Sequence, residues 1–94
     1  MNIGELIYNE DKLKQFILEW EIEFVAAMNI VYTNIKYIQN KGQYIAQINF
    51  RNMYIEKLST ILGIVERENK NINVSALKQK AKILIDISDP VRYN

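Results

Sequence analysis

The chain contains no cysteine and no histidine. The first absence excludes disulfides, thiolate zinc sites and thiol nucleophiles; the second excludes imidazole proton shuttles and histidine-activated nucleophiles. Proline occurs once, at position 90, and glycine three times in 94 residues, so nothing interrupts long helices between Glu10 and Ser88. Strong charge of one sign is also missing. The net charge of +1 gives the whole molecule no general pull towards nucleic acid or a membrane surface. No uncharged run reaches the roughly 20 residues needed to span a bilayer. The first segment, MNIGELIYNEDK, has neither a basic n-region nor an apolar core of export length. With no disulfide framework, these features place the chain in the cytoplasm as an expectation.

Apolar residues are plentiful. They make up 49% of the chain against 24% charged, a globular composition suited to one domain spanning 1–94. A domain of this size buries only about 60–65% of its unfolded surface, so a second chain could usefully complete the core. Enrichment in Asn, Ile, Lys and Tyr matches the coding bias of an AT-rich microbial or viral genome.

Periodicity predicts an all-α fold. Leu13, Ile17, Trp20, Phe24, Ala27, Val31 and Ile38 follow alternating steps of four and three, which describes a helical stripe and fails the period-two test for a strand. Asn9 is a suitable N-cap, with Glu10 and Asp11 at the dipole-favoured first turn. The sequence QNKGQ predicts the helix end, with Gly42 as terminator. The next helix spans Gln43 to about Asn69 and carries apolar stripes on two sides, so it is expected to lie between neighbours. A third helix starts near Val74 or Ser75 and stops at Ser88–Asp89–Pro90. In it KILIDIS also alternates like a strand, but SALKQKAK favours helix and no partner strand exists elsewhere. The leading IGELIY predicts one short helical turn. The expected architecture is a long antiparallel hairpin with a shorter third helix packed on it, a three- or four-helix bundle completed by dimerisation.

The first long helix carries more apolar surface than one neighbour needs. Eleven of the fifteen residues 24–38 are apolar or aromatic, Tyr37 included, and Phe16, Val25, Met28, Tyr32 and Ile35 widen its stripe. Two readings stand side by side. Either the third and N-terminal helices cover this arc, or it forms a homodimer seam or a groove for a protein partner.

Chemistry is sparse. Glu19 and Glu23 share a helix face, but a carboxylate-bridged metal site in a bundle also requires histidine, so no metal and no cofactor is expected. There is no phosphate-binding glycine loop and no serine elbow. Arg51 and Asn52, in FRNMYIEK, are not followed by the histidine that an arginine–polar–histidine ribonuclease helix needs. The chain reads as non-enzymatic. Residues 41–94 carry net +4 against −3 for residues 1–40. Within the basic half, Lys70, Lys78, Lys80 and Lys82 form a weak nucleic-acid candidate, because a recognition surface usually adds arginine and exposed aromatics.

Arg51 occupies an apolar slot between Ile48 and Ile55 and requires a carboxylate or a route to water. Folding back the third helix predicts an internal Arg51–Asp89 ion pair. A carboxylate or phosphate on a partner is the functional alternative, and simple solvent exposure is the third. Taken together, the sequence reads as a small adaptor, assembly subunit or inhibitor. It would bind a protein through helix faces involving Arg51, Val25, Met28, Tyr32 and Ile35. The other reading is a nucleic-acid accessory factor using the basic third helix.

Overall fold

The structure, a computed structural model, describes residues 2–90, which are mostly helical with no strand among them. Five helices follow in order: α1 Ile3–Tyr8, α2 Glu10–Ile35, α3 Lys41–Glu68, α4 Val74–Leu77 and α5 Gln79–Ile87. Asparagine side chains start four of them. Asn2, Asn9, Asn40 and Asn73 accept from the backbone N–H of Gly4, Lys12, Gln43 and Ala76, at 2.8, 3.2, 2.9 and 3.2 Å. Each such cap satisfies a helix-end donor that has no partner within the helix and contributes about 1 kcal/mol.

The stripe read from the sequence is the core of α2. Leu13, Ile17, Trp20, Phe24, Ala27 and Val31 are all buried, against Leu58, Leu62 and Val65 of α3. Trp20 and Phe24 stack with ring centroids 4.7 Å apart, and the indole Nε1–H donates to the Tyr54 carbonyl at 2.7 Å. That bond gives a large buried ring its one required polar partner and fixes the register of the hairpin. At the opposite end from the turn, α1 closes the bundle. It buries Leu6 and Ile7, and Asn69 Nδ2 donates to the Ile7 carbonyl at 2.8 Å.

Several boundaries differ from the sequence expectation. The first long helix stops at Ile35, and Gly42 does not terminate it: Asn40 caps α3, and Lys41 and Gly42 form its first turn. An asparagine that starts the next helix outweighs a glycine that appears to end the last, because no glycine here adopts positive φ. The earlier turn shifts the hairpin register, so Arg51 faces Phe24 rather than Val31, with its guanidinium carbon 6.0 Å from the ring centroid. The third helix is broken at Lys78 into α4 and α5, and KILIDIS is helical. The second long helix is less enclosed than two stripes suggested. Phe50, Ile61 and Ile64 are partly buried, whereas Met53 is 66% exposed.

α5 lies across the hairpin, parallel to α2 and antiparallel to α3. The direction follows from its bonds: Lys80 to Glu21 and Ser88 to Tyr32 along α2, and Lys78 to Glu66 and Ile85 to Arg51 along α3. No helix is long and apolar enough to cross a membrane among the described residues.

Candidate interaction surface

The widened arc of α2 is divided between the interior and the surface. Met28 is buried, and Tyr32 and Ile35 are partly buried against the core. Tyr32 donates its hydroxyl to the Ser88 carbonyl at 2.5 Å, so α5 covers this part of the arc from within the chain. Phe16 is likewise partly buried against the core. Val25 remains on the rim, 46% exposed.

Beyond the rim the sequence signal continues where it was not sought. Leu18, Ile22 and Val25 are spaced i, i+4 and i+7 on α2, and all three are exposed, Ile22 at 65%. Across from them on α5, Ile83 and Ile87 are spaced i, i+4 and are also exposed, Ile83 at 57%. Between the two helices lies a groove of about 470 Å³. Phe24, Val25, Met28, Asn29 and Tyr32 line its α2 wall, with Leu84, Ile87 and Ser88 opposite. Val25 and Ile87 belong to both the exposed rows and the groove, while Leu18, Ile22 and Ile83 lie on the same two helices outside its lining. The missed residues carried a readable signal: Leu18–Ile22–Val25 is a second helical row beside the core stripe.

The candidate basic residues do not form one stripe. Lys78 pairs with Glu66 at 3.2 Å on the α3 side, while Lys80 pairs with Glu21 at 3.6 Å on the α2 side. Lys82 lies with Lys78 along the shallow depression between α3 and α5, and Lys70 is exposed in the connection after α3. Two of the four charges are therefore partly neutralised, and Lys78 and Lys82 share the α3 side of α5 while Lys80 lies on the α2 side. The Glu21 carboxylate is itself buried, and its exposed lysine partner ties the first turn of α5 to α2.

Arg51 is 7% exposed. Its Nη2 donates to the Ile85 carbonyl at 2.7 Å, and among the described residues it makes no ion pair. The expected Arg51–Asp89 bridge is thus replaced by a bond to backbone. The sequence could not show this, because the acceptor is a main-chain oxygen near the end of α5 rather than a side chain. The placement has a physical basis: the C-terminal turn of a helix carries partial negative charge, and the face of Phe24 offers a second weak attraction. Arg51 Nε is buried with no hydrogen-bond partner.

Among the described residues no three acidic side chains come together to hold a metal ion. Comparison with protein-family models, curated proteins and solved structures yields no match.

Proposed function

We propose that the chain is a non-enzymatic interaction protein, an adaptor, assembly subunit or inhibitor, that docks a protein partner on the α2–α5 face. The supporting observation is the groove between α2 and α5, with the exposed apolar residues Leu18, Ile22 and Val25 on one of its helices and Ile83 and Ile87 on the other. Isolated exposed apolar residues are ordinary on any protein, but a row on each of two adjacent helices flanking a groove is the form in which amphipathic helices are received.

The proposal is tested by affinity capture and mass spectrometry from cells of the source organism, with wild-type chain and the double variant Ile22→Lys, Ile83→Lys. Both positions are exposed, so melting should change by no more than about 0.5 kcal/mol in equivalent stability, while the captured protein should be lost. A complex retained in full by the variant places the interface elsewhere. Light scattering on the same samples separates the homodimer: a wild-type dimer that the variant converts to monomer makes a second copy of this chain the occupant. Retention on heparin should be weak at low salt; strong binding that falls steeply with salt would favour the nucleic-acid reading instead.

A further inference from the structure

We propose that α5 is a displaceable arm, and that a partner helix bearing a carboxylate takes its place over Arg51. This inference rests on the interaction reading above and names the chemistry of the partner: the partner first meets the outer face of α2 and α5, and one of its helices then takes the place of α5. It starts from a mismatch. A guanidinium presents Nε–H and one Nη2–H side by side along one edge, a fork that matches the two oxygens of a carboxylate. Here that edge meets a single carbonyl. The Ile85 oxygen already accepts from Arg51 Nη2 at 2.7 Å and from Ser88 Oγ at 3.1 Å, and Nε is left buried with no acceptor. A lysine would serve one carbonyl equally well. The second half of the arginine edge is used only when a carboxylate arrives.

The helix standing in that place is held by single polar ties, to Glu21 and Tyr32 on α2 and to Glu66 and Arg51 on α3, and by the partly buried Leu84 and Ile85. Of the nine residues of α5 only Ala81 is buried. It begins at the break at Lys78 with no side-chain cap. Ile83 and Ile87 remain exposed, Ile87 at the edge of the groove. Elements of this kind open at lower free energy than the core they cover. A partner helix with an apolar face would replace the contacts of α5, and its carboxylate would satisfy both Nε and Nη2 in a dry site, where such a pair is strong only if both hydrogen bonds form.

The test uses the full ¹⁵N-labelled chain and two capped synthetic peptides of residues 74–88, one native and one with Ser88→Asp. Position 88 lies beside the carbonyl that Arg51 now binds, so the aspartate carries its carboxylate to the unused edge. The Ser88→Asp peptide should shift the Arg51 Nε–H resonance and release the α5 amides at concentrations about tenfold below those the native peptide needs. That advantage should shrink to less than about twofold in Arg51→Lys, which keeps the charge but loses the fork. Matching titrations of the two peptides, an advantage that survives Arg51→Lys, or α5 amides that stay in place throughout would each overturn the proposal. If the peptides fail in this way while Ile22→Lys, Ile83→Lys still loses its captured protein, only the arm is wrong and the docking surface stands.

Discussion

Phe24→Ala should cost about 3–5 kcal/mol, a large fraction of the roughly 5–15 kcal/mol available to a domain of this size. Phe24 is buried at the centre of the hairpin, stacked on Trp20 and lying beneath the Arg51 guanidinium. Three losses coincide. A large ring buried in the core is removed; the stacking partner of Trp20 disappears; and Arg51 loses the ring face against its buried charge. For a chain of about this length each kcal/mol moves the melting temperature by roughly 4–8 °C, so the midpoint should fall by more than about 10 °C. Thermal melting followed by circular dichroism gives the answer. A decrease equivalent to less than about 1 kcal/mol would mean that Phe24 is not at the packing centre of the hairpin.

The second large effect is local. Ala81 is the one buried residue of α5, and Ala81→Glu places an unpaired carboxylate where a methyl group now packs, a change that costs several kcal/mol if the helix remains docked. The hairpin does not depend on that contact. Most of its core, from Leu13 to Val31 on α2 and from Leu58 to Val65 on α3, comes from the two long helices, and Ala81 is the one fully buried side chain that α5 adds. Hydrogen exchange should therefore show α5 amides losing protection while the central amides of α2 and α3 keep theirs. Full protection of α5 in the variant, or collapse of the hairpin with it, would show that the chain folds as one indivisible unit.

The difference between these two substitutions reflects what the sequence made legible. The stripe of α2 is read directly because every fourth or third residue is large and apolar, and one face of one helix decides its burial. The helical character of the first two segments was equally readable, as was the Asn9 cap, whereas KILIDIS in the third alternates like a strand and is helical in the fold. The hairpin turn was misplaced because Gly42 is a strong local signal for an ending, while Asn40, two positions earlier, is a stronger one for a beginning. The seven-residue shift in register then moved Arg51 from Val31 to Phe24. The partner of Arg51 was beyond reach of sequence reasoning because a backbone carbonyl leaves no mark in residue identity. The two sides of α3 looked alike in composition, and only the docking of α5 on one of them leaves Met53 exposed on the other. Of the candidate site, Val25 was identified at the rim. Leu18, Ile22, Ile83 and Ile87 were not, because a second apolar row beside a core stripe looks like extra core until the neighbouring helix is in place.

Surface ion pairs contribute little to this account. Lys12–Glu5 and Lys14–Glu10 are half exposed at 3.5 and 3.7 Å, and pairs of that kind are worth about 0–1 kcal/mol. The stability of the fold lies in the α2–α3 core and its capped ends, which leaves the outer face of α2 and α5 free to be shaped by binding.

Position-resolved photo-crosslinking tests that claim most directly. A benzophenone side chain placed at Ile83, on the proposed face, should yield a discrete crosslinked product with a protein partner in cells of the source organism. The same group at Met53, equally apolar and 66% exposed but carried on α3, should yield none. A product at Met53 with none at Ile83 would contradict the assignment of the α2–α5 face as the docking surface.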